Sequence, residues 1–380
     1  MIKILTLNPI SEKIFPVLGE NYTVSEKAIS PDAILVRSYN MHGYTISENL
    51  IAVARAGAGV NNIPIEEYTD KGIVVFNTPG ANANGVKELV ICGMLMATRN
   101  VPEALFWTKS LSGKGDLVPE LVEKGKKPFV GTELYGKTLG IVGLGAIGAK
   151  VANSCSDLGM NIMGYDPFLT DAAKNMLTCS VNFVTDLNAL YRNSDIITFH
   201  VPLLDTTRGM ISKESISFMK DGVILINMSR AELVSIQDLS TALENGKVRK
   251  YVVDFPTDSS IDKKGIIAIP HLGASTEESE DNCAVMAAQQ LKDYIEDGNI
   301  KNSVNFPNLS IQRSTDTRIC IAYNSSSNAL ARIKALVKDK PLFFSEKKSI
   351  GYAVVDLDTC ADISLDELTE TEDILLIRII

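Results

Sequence analysis

Histidine is scarce in this chain: His42, His200 and His271 are the only three in 380 residues. An acid–base step near neutral pH that needs an imidazole therefore has three candidates. Cysteine offers no competing framework. The six cysteines are scattered, no two form C-x-x-C, and none sits near histidine at metal-ligand spacing. Reduced cytosolic thiols and no metal are expected. No stretch approaches the ~20 apolar residues that span a bilayer. Basic runs are also missing, and a net charge of −9 argues against nucleic-acid binding, which rests on Lys and Arg neutralising phosphate. No membrane partner is expected. The start, Met1-Ile2-Lys3-Ile4-Leu5-Thr6-Leu7, turns polar too quickly for a signal peptide and reads as a first strand, so the expected location is cytoplasmic.

What the chain does contain is alternation. A composition 45% hydrophobic and 22% charged is that of a globular protein, and the length allows two or three domains. Short apolar runs at residues 2–7, 33–37, 51–55 and 73–76 alternate with helical patterns. A second set lies at 138–142, 161–165, 181–184, 195–200, 222–227, 250–255 and 265–269. Strands alternating with helices imply parallel sheets covered on both faces. Two sets predict two doubly wound α/β domains of Rossmann or flavodoxin-like type with a cleft between them. Long helical patterns at about 84–99 and 276–297 are expected to cross that cleft, making the first domain discontinuous. Residues 106–134 read as an irregular arm. Residues 302–317 read as a linker. Beyond it strands at 318–323, 341–344, 349–356 and 373–380, with helices at 329–338 and 364–371, predict a small α+β module of ferredoxin-like type. The expected division is 1–99 with 284–305, then 100–283, then 315–380.

The second set carries the most specific motif. Gly143, Gly145 and Gly148 match G-x-G-x-x-G after a strand and at the start of a helical pattern, and Asp166 ends the next strand. Gly143 permits the tight turn, Gly145 lets backbone approach a pyrophosphate, and Gly148 lets the helix sit close to the strand. The helix start at Ala146 and Ile147 supplies free N–H groups for the anion. Asp166 would accept the adenosine ribose hydroxyls and repel a 2′-phosphate, which favours NAD over NADP.

Candidate chemistry falls at strand ends, where the crevice of an open parallel sheet lies. His200, followed by Val201-Pro202, reads as part of a nicotinamide wall. His42 reads as a surface loop residue. His271 lies where a strand ends and the long helix is about to begin, the best position for a base. Asn227-Met228-Ser229-Arg230 ends another strand, and its guanidinium suits a carboxylate and the neighbouring carbonyl oxygen. Asp254 and Asp258 end the next, and Asp258 is the candidate to hold the second nitrogen of His271.

Several stretches together resemble a known family. They are Arg55-Ala56-Gly57-Ala58-Gly59-Val60-Asn61-Asn62-Ile63, Asn77-Thr78-Pro79-Gly80-Ala81-Asn82, Gly131-Thr132-Glu133-Leu134-Tyr135-Gly136-Lys137-Thr138-Leu139-Gly140, the glycine turn, Asn227-Met228-Ser229-Arg230 and Pro270-His271-Leu272-Gly273-Ala274-Ser275-Thr276. Over residues 1 to about 305 the chain resembles the D-isomer-specific 2-hydroxyacid dehydrogenases. The resemblance implies Arg230 and His271 as catalytic residues, with Asp258 where the family has Glu, in a loop one residue shorter. Ala231 replaces the usual Gly. It implies Val201, Pro202, Asn227, Met228, Ser229, Asp254, Gly273 and Ala274 along the NAD site. In the first domain it implies substrate contacts at Arg37, Ser38, Arg55, Ala56, Gly57, Ala58 and Asn82. The amides of residues 56–58 would form an anion nest, and Arg37 and Arg55 are candidates for a phosphate or for surface ion pairs.

The implied reaction is NAD-dependent oxidation of 3-phospho-D-glycerate to 3-phosphohydroxypyruvate, the first step of serine synthesis. The alternatives are reduction of hydroxypyruvate or glyoxylate, oxidation of erythronate 4-phosphate, and a non-catalytic NAD(H)-sensing scaffold. The C-terminal module resembles an ACT domain, which implies an amino-acid effector such as serine. Its first turn, Asn324-Ser325-Ser326-Ser327-Asn328, departs from the Asn-x-Pro-Gly of that family. A homo-oligomer is expected.

Overall fold

The computed structural model describes residues 1–338, 340–358 and 371–380. The chain divides into two compact units, residues 1–82 with 280–380 and residues 83–279.

In the first unit, strands β1 (Ile2–Thr6), β2 (Tyr22–Ser25), β3 (Ala33–Val36), β4 (Ala52–Arg55) and β5 (Val74–Phe76) form a parallel sheet in the order β2-β1-β3-β4-β5. This is the flavodoxin-like doubly wound order. The central strand β3 is apolar and buried throughout, and β4 is so up to its last residue, Arg55, as a sheet covered on both faces requires. The edge strand β2 was not expected. Tyr22-Thr23-Val24-Ser25 is short and half polar, and only pairing with β1 makes it a strand.

The second unit holds seven parallel strands: β6 (Thr138–Val142), β7 (Asn161–Tyr165), β8 (Asn182–Phe183), β9 (Ile196–Phe199), β10 (Val223–Asn227), β11 (Val248–Val253) and β12 (Ile266–Ala268). Their order is β12-β11-β10-β9-β6-β7-β8, the Rossmann order with one strand added. The helix Ala83–Thr98 packs inside this unit. Gly93 lets it approach closely, since a Cβ there would lie 3.1 Å from Val252 and 3.2 Å from Met228.

The segment expected to be irregular, 106–134, holds the end of helix Val101–Lys109 and the whole of helix Val118–Gly125. Asn100 breaks the preceding helix with a φ of 50°. Pro102 and Pro119 sit in the first turns, where their fixed φ favours a helix start. Leu105, Phe106, Val130 and Tyr135 of this segment and the residues after it are exposed.

The third sheet is antiparallel and belongs to the first unit. It comprises β13 (Thr317–Asn324), β14 (Leu342–Lys347), β15 (Ile350–Leu357) and β16 (Ile374–Ile379), in the order β14-β15-β13-β16. One face, with Ile319, Ile321 and Tyr323, packs on helix Ala329–Val337. The other, with Cys320, Ala322 and Tyr352, joins the core that includes Leu291, Tyr294 and Ile295. The period-two alternation of strands therefore buries both faces. The expected helix at 364–371 falls almost entirely outside the described residues. Among the described residues no single helix is long and apolar enough to cross a membrane.

Candidate active site

The three motif glycines of the second unit are glycine for three different reasons. Gly143 has a φ of +91°, and a Cβ there would meet the His200 carbonyl oxygen at 2.6 Å. At Gly148 a Cβ would lie 2.0 Å from the Gly143 carbonyl oxygen. Both are demanded by the protein's own packing. Gly145 is different: a Cβ would meet nothing within 4 Å. It is the N-cap of helix Ala146–Asp157, and no side chain caps that helix. The first turn thus presents amides to open space, the setting in which a helix start binds a phosphate group. The residues fit a dinucleotide.

Asp166 follows β7. Its Oδ2 accepts the Leu144 N–H and its Oδ1 the Phe168 N–H, both at 2.9 Å. The carboxylate therefore also holds the glycine turn in place. Each oxygen keeps a further lone pair for a hydroxyl donor.

The carboxyl ends of β9, β10, β11 and β12 supply the rest. His200 follows β9, ahead of Val201 and Pro202. Its Nε2 lies 3.1 Å from the Thr198 hydroxyl, and burial lowers its pKa to about 3, so the ring is neutral. Asn227 is fully buried. Its Nδ2 donates to the Arg230 carbonyl oxygen at 2.8 Å and to the Tyr251 hydroxyl at 3.0 Å. Its Oδ1 accepts the Ser229 N–H at 3.1 Å, and the Ser229 hydroxyl donates to the Phe199 carbonyl oxygen at 2.7 Å. With Met228 buried beneath, this turn delivers Arg230 in a fixed position. The Arg230 guanidinium donates to the Ser229 carbonyl oxygen at 2.6 Å and lies 5.2 Å from the centre of the Phe255 ring.

Asp254 is buried, and its carboxylate accepts the N–H groups of Leu272 at 2.7 Å and Gly273 at 2.8 Å. Burial raises its pKa, while the two amides and the nearby His271 pull the other way. A Cβ at Gly273 would lie 2.9 Å from Oδ2, so this contact needs glycine. Ala274 follows on the same turn. The pair of amide bonds braces the loop directly after His271, whose φ of 54° is uncommon for a residue with a side chain. The His271 ring is tilted against Phe255 with centroids 4.5 Å apart.

The expected bond between Asp258 and His271 is not formed. Neither side chain takes part in a hydrogen bond or ion pair among the described residues. Asp258 and Ser259 sit exposed on a turn closed on itself, in which the Thr257 N–H donates to the Ser260 hydroxyl at 2.8 Å and that hydroxyl donates to the Thr257 carbonyl oxygen at 2.9 Å. The shortened loop thus satisfies its own groups rather than reaching the imidazole.

In the first unit Arg37 and Ser38 follow β3, and Arg55 ends β4. The Asn8 side-chain oxygen accepts the amides of Arg37, Ser38 and Tyr39, each at 3.0 Å. The Arg55 Nε donates to the Arg37 carbonyl oxygen at 2.9 Å. Arg37 itself pairs with Glu280 at 2.6 Å. The expected three-amide nest is incomplete. The Ala56 amide donates to Val36 at 2.8 Å and the Gly57 amide to Arg55 at 2.9 Å, leaving Ala58 alone without a backbone acceptor. The Asn77 side chain holds the Ala58 carbonyl oxygen at 2.6 Å. Asn82 closes this unit's first segment, half-buried. Asn8, Phe255 and Glu280 were not singled out by the sequence. Asn8 follows the first strand, which was the one available signal.

The family model described as the D-isomer specific 2-hydroxyacid dehydrogenase, NAD binding domain, matches residues 91–273. The chain is 38% identical over 331 residues to a D-3-phosphoglycerate dehydrogenase of Methanocaldococcus jannaschii, covering 81% of this chain and 60% of that one. It is also 38% identical over 274 residues to a hydroxypyruvate reductase of Thermotoga maritima, covering 68% and 83%. Among solved structures, the NAD+-bound 3-phosphoglycerate dehydrogenase of Entamoeba histolytica superposes with a TM-score of 0.62 at 29% identity, over 82% of this chain and 99% of that one. The chain belongs to the D-isomer-specific 2-hydroxyacid dehydrogenase family, and its second unit carries the family's NAD-binding domain. It spans about 60% of the length of the archaeal phosphoglycerate dehydrogenases it matches.

Proposed function

We propose that the chain oxidises 3-phospho-D-glycerate to 3-phosphohydroxypyruvate with NAD. The observation that carries this reading is the placement of Arg230 and His271 against one aromatic ring, at strand ends of a unit whose glycine turn fits a dinucleotide. The similarity to D-3-phosphoglycerate dehydrogenases supports the choice of substrate. Bound NAD supplies a hydride acceptor. Gly145, Ala146 and Ile147 would hold its pyrophosphate, and Asp166 its adenosine ribose. Neutral His200, Val201, Pro202, Met228, Gly273 and Ala274 would line the rest.

The chain's own residues do the proton work. His271 takes the proton of the substrate's C2 hydroxyl as general base. Arg230 binds the carboxylate and polarises the oxygen as it becomes a carbonyl. Asp254 acts on His271 through the loop it braces. Asp258 would need its turn to open before it could stabilise the imidazolium. Arg37, Ser38, Arg55, Ala58 and Asn82 of the first unit would bind the anionic groups of the substrate.

A second reading, reduction of hydroxypyruvate, is favoured by one observation: Arg37, a phosphate candidate, is already paired with Glu280. The similarity to the Thermotoga enzyme supports it equally well by identity. We further infer a homodimer through the exposed apolar residues near 105–135, and a cytoplasmic setting suited to the free thiols of Cys92, Cys155, Cys179, Cys283 and Cys320. Serine as an effector of the C-terminal sheet is supported by the strand order alone.

The test is loss of NADH absorbance with phosphohydroxypyruvate beside hydroxypyruvate, glyoxylate and 2-oxoglutarate, with and without L-serine. Fast turnover of only the phosphorylated acid is the expected result. Turnover of only the unphosphorylated acids would replace this reading with the reductase.

A further inference from the structure

We propose that Phe255 is the positioning residue that holds both reacting side chains. Its ring is tilted against the His271 imidazole at 4.5 Å between centroids. The Arg230 guanidinium lies 5.2 Å from the centre of the same ring. No carboxylate bonds to His271 among the described residues, so the ring is what the imidazole rests on. Phe255 directly follows Asp254, whose carboxylate fixes the amides of Leu272 and Gly273. One dipeptide therefore sets both the backbone after His271 and the plane of its ring.

The chemistry suits a π-face. The negative face of an aromatic ring attracts cations within about 6 Å. Arg230 is a permanent cation, and His271 becomes one when it takes the substrate proton. A ring shared by the two gives each an attractive partner. This role would fall to a carboxylate if the Asp258 turn reached His271, and the self-closed turn at 257–260 does not. A cavity of about 190 Å3 borders the ring, with Ala231, Val234, Ile236, Tyr251 and Thr257 in its lining, and tyrosine is the conservative variant that keeps the aromatic face.

The kinetic part of this inference rests on the dehydrogenase reading; the spectroscopic part does not. Histidine-labelled protein gives three imidazole signals, and His271→Gln identifies the one of interest. In the full chain the His271 ring protons are expected upfield of those of His42, through the ring current of Phe255. Phe255→Leu should abolish that shift, and Phe255→Tyr should keep it. With phosphohydroxypyruvate and NADH, Phe255→Leu should lower kcat about tenfold, equivalent to ~1.4 kcal/mol, with KM for NADH unchanged. Phe255→Tyr should restore kcat to within about twofold. An unshifted His271 signal in the wild type overturns the proposal. So does a Phe255→Leu protein that keeps full kcat, or a Phe255→Tyr protein that folds, retains the shift and is as slow as the leucine variant. If the wild type turns over none of the acids, the dehydrogenase reading falls, and the resonances alone decide whether the ring holds His271.

Discussion

The Arg37 guanidinium and the Glu280 carboxylate form an ion pair at 2.6 Å. Both are more than a third exposed, so the pair is worth at most ~1 kcal/mol. A doubly charged phosphate can displace Glu280, but it must do so against that attraction and against a like charge beside it. Glu280→Gln is therefore expected to lower KM for phosphohydroxypyruvate by about two- to fivefold, with KM for hydroxypyruvate unchanged. Equal effects on both acids would show that Arg37 does not face the phosphate.

Asp166 fixes the Leu144 amide of the glycine turn, and in the proposed function it also receives the adenosine ribose. Asp166→Ala removes both. Losing hydrogen bonds to a charged group costs ~1.5–3 kcal/mol, so NADH affinity should fall about ten- to hundredfold. Asp166→Asn keeps the amide acceptor and should recover part of the affinity while admitting NADPH. Titration of NADH and NADPH fluorescence separates these outcomes. Unchanged preference in both variants would place ribose recognition elsewhere.

The same division separates what could be read from the sequence from what could not. The glycine turn is a local pattern: Gly143 has the positive φ and Gly148 the close contact that their spacing predicts, and Gly145 leaves open space at the helix start. Strands β6 and β7 match the expected runs residue for residue, because the buried stretch of each is apolar and only the opening Thr138 and Asn161 are polar. Partners brought together by the fold leave no such trace. Glu280 meets Arg37 across 243 positions, and nothing near either residue announces the other. Asp258 was the natural partner for His271 by type and by strand order. Whether it reaches depends on how the 257–260 turn closes on itself, which the shorter loop read from the sequence does not reveal. Phe255 reads as an ordinary apolar residue until Arg230 and His271 are placed around it.

Burial fixes His200 in its neutral form, with a pKa near 3 against 6.5 in the unfolded chain. Between those values the unfolded chain holds one proton more than the native one. Stability therefore rises with pH across that window, and this contribution is complete above about pH 6.5. In the wild type, unfolding free energy should fall as pH drops from 7.5 to 5. His200→Gln lacks the titrating ring, so its fall over the same range should be smaller by about 1–2 kcal/mol. Denaturant titrations at the two pH values measure the difference, and identical slopes would show that His200 titrates normally in the native state.

Arg318 and Asp356 join the first and third strands of the C-terminal sheet by two parallel bonds, at 2.6 and 3.0 Å, with side chains 0% and 4% exposed. The remaining Arg318 nitrogen donates to the carbonyl oxygens of Asp297 and Ile311, and Asp356 also accepts the amide and hydroxyl of Ser314. Burial by itself would raise the Asp356 pKa, but Arg318 and Ser314 outweigh it and hold the group at about 2. A carboxylate lowered in the native state stabilises the fold above its unfolded value near 4, and that stability is lost as pH falls toward 2. Removing one partner strands a buried charge. Asp356→Ala should therefore cost ~3–5 kcal/mol at neutral pH. It should also flatten the loss of stability between pH 4 and 2. The double variant Arg318→Met with Asp356→Leu strands no charge and should be less destabilised than Asp356→Ala alone. Urea denaturation of the three proteins checks this order. If the double variant were the least stable, the bonds from Arg318 to the Asp297 and Ile311 carbonyls, rather than the ion pair, would be what anchors the C-terminal sheet to the end of helix Glu277–Asp297.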